Sequence, residues 1–139
     1  MKRYRTSHLV KSEDLNHHGT LFAGRSAEWL VESGFICAAA THGKPQDVVC
    51  INIHGFVFKT PVQKGDLLMM TSVVAKVGRT SVTVYIKAEN EISGVSPTDG
   101  FITFVTVDSV TDKTIPHGIA LDETDDPEEL NIRKRALEL

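Results

Sequence analysis

One long helical run, standing before four β-rich runs, constrains the fold of this chain more than any other sequence feature. From Gly24 to about His42, small and apolar residues recur at the three- and four-residue steps of an α-helix. Gly43 and Pro45 then end the pattern. A helix of roughly nineteen residues is about 28 Å long. Because its apolar residues cover more than half of its circumference, it should be largely buried.

The segments around this helix are rich in β-branched and aromatic residues, which predicts strands. They are residues 48–58, 66–77, 80–89 and 101–108, with RYRTSHLV near the N-terminus as a further candidate. Turn signals at Pro61, Gly65 and Gly78 favour an antiparallel meander, and Gly55 is a candidate bulge. A single helix against an antiparallel sheet is an α+β arrangement, and a curved sheet would bury more of the helix than a flat one.

Length and charge exclude several functional classes. The 139 residues fit one compact domain, and the net charge of −3 with scattered basic residues predicts no nucleic-acid binding. No apolar run approaches the roughly 20 residues of a membrane span, and the N-terminus lacks the apolar stretch of a signal peptide. Cys37 and Cys50 lie in apolar runs without metal-ligand spacing. We therefore expect a cytoplasmic protein, away from membranes, with two reduced core cysteines.

Three segments resemble the hotdog-fold acyl-CoA thioesterases. They are NHHGTLFAG (16–24), FVFKTPVQKGD (56–66) and VGRTSVTV (77–84), and the likeness covers about residues 4–108. The resemblance implies a five-stranded antiparallel sheet wrapped around one central helix. It also implies a homodimer with shared active sites and, in many members, a tetramer or hexamer. We expect one hotdog domain, residues 1–121, and a charged tail, residues 122–139, which forms a short helix capped by Asp126.

The same segments predict an active site for thioester hydrolysis. This reaction needs a donor for the carbonyl oxygen and a base or nucleophile for the carbonyl carbon. Ala23 and Gly24 would offer the first N–H groups of the helix to the oxyanion. Glu32, two turns further on, would act as base or nucleophile, and Asn16 would orient water or the acyl carbonyl, as the resemblance implies. No metal or cofactor is expected.

The chain departs from the family at one helical position. The resemblance places the acid seven residues past the position of Gly24, where this chain has Val31, and Glu32 lies about 100° further round the helix. In one interpretation the helix start is shifted and Glu32 points into the site. The fluoroacetyl-CoA thioesterases resemble this arrangement, and His54 loosely matches their additional histidine. In the other interpretation the acid is missing and turnover is slow or absent.

Candidate contacts to CoA come from the second and third motif segments. Lys59 and Arg79 could bind the CoA phosphates, and Thr80 and Ser81 could line the pantetheine channel. The favoured function is therefore an acyl-CoA thioesterase. A non-catalytic acyl-CoA-binding module, acting as a sensor or effector, is the alternative. An enoyl-thioester hydratase ranks lowest, because related dehydratases carry a loop-helix motif of the Asp-x-x-x-x-His type, and no such motif leads into the long helix here.

Overall fold

The computed structural model describes residues 1–139 as a five-stranded sheet with one α-helix on each face. The strands are β1 (Tyr4–Leu9), β2 (Val48–Phe58), β3 (Leu67–Val77), β4 (Ser81–Asn90) and β5 (Thr98–Thr106). The helices are α1 (Ala23–His42), which precedes β2, and α2 (Pro127–Leu137), which follows β5. The predicted helix and strands are confirmed, with ends that shift by up to a few residues.

The strand order is β1-β3-β4-β5-β2, with every neighbouring pair antiparallel. The predicted meander is confirmed for β3 to β5 and is wrong for β2. Because β3 is already flanked by β1 and β4, β2 pairs with β5 and becomes an edge strand. Gly55 has a φ of 105° at the predicted bulge, where the register shifts between Ile53 and Phe56. The opposite residue, Gly100, has no room for a side chain, since its Cβ would lie 2.4 Å from the Gly55 carbonyl oxygen.

The main core lies between α1 and one face of the sheet. Leu30 and Cys37 of α1 pack in one cluster with Ile86, Ile102 and Phe104 of β4 and β5. Burial raises the pKa of Cys37 to about 11. Cys50, by contrast, is exposed. The prediction of a core position for Cys50 is therefore wrong, because it lies on an edge strand.

The C-terminal tail forms α2 and covers part of the other face of the sheet. Ile132 and Ala136 pack in a second cluster with residues of β3, β4 and β5. The predicted cap is confirmed, since the Asp126 side chain accepts a hydrogen bond from the Glu129 N–H at 3.2 Å. Neither α1 nor α2 combines the length and the apolar character that crossing a membrane requires.

Candidate active site

Asn16 closes the loop that leads into α1. Its Oδ1 accepts hydrogen bonds from the N–H groups of His18 (2.8 Å) and Thr20 (3.3 Å), and its Nδ2 donates to Thr20 Oγ1 at 3.1 Å. Side chains of this type commonly hold turns by bonding the backbone two residues on. Most of the hydrogen bonds of Asn16 are therefore used within the loop, which fixes the approach of the chain to the helix.

The first two N–H groups of α1 are free. Phe22 is the N-cap residue and makes no capping bond with its side chain, and no acidic residue lies in the first turn. The Phe22 carbonyl accepts from Arg25 N (3.0 Å) and Ser26 N (3.1 Å), which leaves the N–H groups of Ala23 and Gly24 without an acceptor. Such groups at the positive end of a helix dipole favour an anion. Two free N–H donors therefore lie at the positions where the sequence predicts an oxyanion site.

A small cavity of about 260 Å³ lies beside this helix start, and we call it the inner cavity. It brings together three of the predicted residues, Asn16, Ala23 and Lys59. Lys59 is exposed, and its Nζ lies 3.5 Å from Asp99 Oδ1. The complete lining is Asn16, Thr20, Leu21, Ala23, Ser26, Phe58, Lys59, Thr60, Pro61, Val62, Pro97 and Thr98.

A larger, open space of about 530 Å³ runs along α1 beside β2, and we call it the α1 groove. Its walls are mostly apolar, and its lining is Gly24, Ala27, Glu28, Val31, Glu32, Phe35, Cys50 and Phe104. Arg25 Nη1 donates to the Glu28 carboxylate at 3.4 Å. The Glu32 carboxylate makes no hydrogen bond or ion pair, so it is the free carboxylate of the groove.

Glu32 lies on the solvent side of α1, where its charge also acts on His8 of β1. About one turn earlier on the helix, Trp29 stacks on His8 with ring centroids 4.3 Å apart. Burial lowers the pKa of His8, and the charges of Glu32 and Asp14 offset this only in part. Val31 is half-buried between the groove and the core. The one-residue displacement from the family position therefore leaves Glu32 at the rim of the groove rather than on its floor.

His54 lies on the other face of the sheet. Its Nε2 is 2.7 Å from Thr103 Oγ1, which lies 2.8 Å from Thr83 Oγ1. Thr103 stands between Ile102 and Phe104, which face α1, so its own side chain points away from α1. The predicted partnership of His54 with Glu32 is therefore not formed within one chain. Register shifts on both sides of His54, between Cys50 and Asn52 and between Ile53 and Phe56, account for the difference, because each resets the alternation of side chains.

Arg79, Thr80 and Ser81 lie at the far end of the sheet from the inner cavity. Thr106 N donates to Thr80 O at 2.9 Å, and Thr106 ends the strand that begins at Thr98 in the cavity wall. The length of β5 separates these two ends by about 26 Å. Within one chain, these three predicted CoA contacts do not meet the rest of the site.

Comparisons with known proteins agree with this architecture. A family model described as the thioesterase superfamily matches residues 18–96. The chain is 29% identical over 133 residues to the uncharacterized acyl-CoA thioester hydrolase YkhA of Bacillus subtilis. The aligned region covers 90% of this chain and 72% of that protein. It is 30% identical over 104 residues to an uncharacterized acyl-CoA thioester hydrolase of Zymomonas mobilis. The aligned region covers 72% of this chain and 68% of that protein.

The same likeness holds in three dimensions. The crystal structure of an apo-hexameric acyl-CoA thioesterase superposes with a TM-score of 0.82 at 29% identity, over 98% of this chain and 86% of that chain. The family match includes α1 and the strands β2 to β4, and the superposition covers 98% of this chain. The predicted hotdog fold is thereby confirmed, and the chain belongs to the thioesterase superfamily.

Proposed function

We propose that this protein hydrolyses acyl-CoA thioesters to a free acid and CoA. The observation that carries this proposal is the pair of free N–H groups at Ala23 and Gly24. They lie between the inner cavity, whose lining includes several polar side chains, and the apolar α1 groove, which holds the free Glu32 carboxylate. The names of both sequence relatives state the same activity for those proteins. The two free cysteines support a reducing compartment, and we place the protein in the cytoplasm.

Charge decides which end of the substrate enters which space. Lys59 lines the inner cavity and can attract the CoA phosphates. The α1 groove carries Glu28 and Glu32 instead, which would repel the phosphates. Its apolar walls suit the acyl chain. The pantetheine arm is therefore assigned to the inner cavity and the acyl group to the α1 groove.

The spacing along α1 favours a general base over direct attack by Glu32. Gly24 and Glu32 lie about 12 Å apart along the helix axis, and side chains tilt back toward the N-terminus. General-base catalysis needs a distance of roughly 10 Å between the helix N–H nitrogen and the carboxylate oxygen of the base. This distance includes the bound carbonyl, the attacking water and the hydrogen bond from that water to the base. Direct attack would require a span of roughly 7 Å. A water therefore fits between Glu32 and the thioester.

In the proposed reaction, Glu32 takes a proton from this water while the water oxygen bonds to the carbonyl carbon. The charge that develops on the carbonyl oxygen is stabilised by the N–H groups of Ala23 and Gly24. One such donor typically contributes about 2.7–4 kcal/mol. The carbon–sulfur bond then breaks, and the CoA thiolate leaves with the proton that Glu32 took from the water, which returns Glu32 to its charged form. Asn16 keeps the loop and the helix start in place, and through them it orients the carbonyl.

We also propose a homodimer with shared active sites. The edge strand β2 exposes the apolar side chains of Val49, Ile51, Ile53, Val57 and Phe58. A long apolar edge strand is prone to pair with another chain, and a two-fold axis would make this pairing antiparallel. The related hexameric structure supports assembly beyond a dimer.

Antiparallel pairing of β2 would also complete the CoA site. Antiparallel pairing reverses the direction of the partner's sheet relative to the first sheet. The partner's turn with Arg79, Thr80 and Ser81 therefore comes to the end of the first sheet where the inner cavity lies. The partner's β4 then lies three strand spacings from β2, or about 14 Å. These residues would therefore reach the CoA arm across the interface, although they lie too far away within one chain.

The alternative is a module that binds acyl-CoA without hydrolysing it. The observation that favours it is Val31 at the family's acid position, with Glu32 at the rim of the groove. Release of free thiol from short, medium and aromatic acyl-CoAs distinguishes the two. We expect release by the wild type, a loss of at least about 100-fold in Glu32→Gln, and near-normal rates in the control Glu28→Gln. Binding without release would establish the module, and full activity of Glu32→Gln would remove Glu32 from the mechanism.

A further inference from the structure

Ser26 presents a free hydroxyl to the inner cavity from the first turns of α1. The residue is only 4% exposed, and it lines this cavity. Buried helical serines can donate to the carbonyl four residues back. Here the carbonyl of Phe22 accepts only from backbone N–H groups, and the Ser26 hydroxyl makes no hydrogen bond within the protein. This hydroxyl is therefore available to a ligand in the cavity.

A second hydroxyl in the same cavity wall is also without a partner. Thr98 is 1% exposed, and its Oγ1 has no hydrogen-bond partner. A buried polar group that lacks a partner destabilises a fold by about 1–3 kcal/mol. Two such groups, together with the free N–H of Ala23, suit a polar occupant better than an alkyl chain.

We propose that the Ser26 hydroxyl binds the amide of the pantetheine arm nearest to the sulfur. The inference rests on the proposed function, which assigns that arm to the inner cavity. Ala23 and Ser26 lie about 4.5 Å apart along the helix axis. Two methylene groups separate the sulfur from the first amide nitrogen, a distance of roughly 4 Å. With the thioester carbonyl on the Ala23 N–H, the amide lies beside Ser26, whose hydroxyl can donate or accept.

Two small substrates with the same acyl group test this contact. An acyl thioester of N-acetylcysteamine contains the amide, whereas the acyl S-pentyl thioester has the same length and lacks it. We expect Ser26→Ala to lower kcat/KM about tenfold for the first substrate and less than about twofold for the second. Ser26→Thr keeps the hydroxyl and should keep the preference for the amide.

The chain offers a closely matched control in Ser33. It is a buried serine of the same helix, its hydroxyl also lacks a partner, and it lines neither the cavity nor the groove. Ser33→Ala should therefore leave the ratio of the two kcat/KM values unchanged. If Ser26→Ala does not fold, Ser26→Cys gives the same measurement, because a thiol is a weak donor and acceptor.

Equal losses on both substrates, or no loss on either, would overturn the inference. Failure of the proposed function has a different signature, namely no thiol release by the wild type from any acyl-CoA. In that case calorimetry with the same two thioesters still measures the contact through their dissociation constants. An identical ratio of these constants in wild type and Ser26→Ala would then reject it.

Discussion

Truncation of Ile132 tests whether α2 is part of the cooperative domain. This side chain is 3% exposed and lies in the second cluster with Tyr85 and Phe101. Ile→Ala in a core typically destabilises by about 2–5 kcal/mol. Because α2 lies on the outside of the sheet and can settle inward, we expect about 2.5 kcal/mol for Ile132→Ala. For a chain of this size that corresponds to a fall in Tm of roughly 10 °C.

The single tryptophan provides a suitable probe for this experiment. Trp29 lies on α1, on the other side of the sheet from α2, and stacks on His8. Its fluorescence therefore reports unfolding of the main core, whereas far-ultraviolet circular dichroism also includes α2. We expect urea titrations followed by both signals, at one fixed protein concentration, to shift together in Ile132→Ala.

Leu130→Ala is the matched control, since Leu130 lies on the same helix and is 48% exposed. It should change the free energy of unfolding by less than about 0.5 kcal/mol. The reasoning is refuted if the Trp29 transition of Ile132→Ala stays where it is in the wild type while the dichroism signal falls at lower urea. Residues 122–139 would then unfold as the separate tail that the sequence predicts.

Two further predictions concern the edge strand and the charged cluster around Asp99. Ile51→Lys places a charge on the edge strand β2, at a side chain that is 57% exposed. Light scattering should therefore show a smaller assembly, and thiol release should fall. An unchanged assembly would argue against pairing through β2. Burial raises the pKa of Asp99, but the Tyr85 hydrogen bond and the charges of Lys59 and Arg135 outweigh it and hold that pKa below its usual value. The stability that Asp99 contributes is therefore present above its unfolded pKa and is lost as the pH falls through its folded pKa. Urea titrations should accordingly find Asp99→Asn less stable than the wild type at pH 7, with a smaller difference at about pH 3, and a constant difference would contradict this account.

Local patterns predict the elements of this fold but not their pairing. The periodicity of α1 and the β-rich runs depend on neighbouring residues, and the structure contains all of them. The edge position of β2 depends instead on which strands pair with β3. Distant segments of the chain compete for that pairing, and β1 takes the place beside β3. The exposure of Cys50 follows from that outcome. The register shifts on either side of His54 likewise decide which face it occupies, and their effect on alternation depends on where they fall in the ladder.

The candidate site divides in the same way. Asn16, Ala23, Gly24 and Glu32 belong to one continuous stretch of sequence, so a motif identifies them together. The Ser26 and Thr98 hydroxyls carry no motif, because the fold alone brings the start of β5 to the first turns of α1. A polar residue on the buried stripe of a helix was the available signal for Ser26. Such a signal indicates a buried hydroxyl without naming its partner.

The meeting of two separate spaces at the start of α1 has a consequence for how such a protein can diversify. Ala23 lines the inner cavity and Gly24 lines the α1 groove, so the two halves of the proposed substrate would touch different walls. Substitutions at Val31 or Phe35 would change the shape of the groove and leave the proposed CoA-binding cavity unchanged. Selection could then change the accepted acyl group repeatedly while recognition of the carrier stays constant. Recognition of CoA and selection of the acyl group would thus evolve independently within one domain.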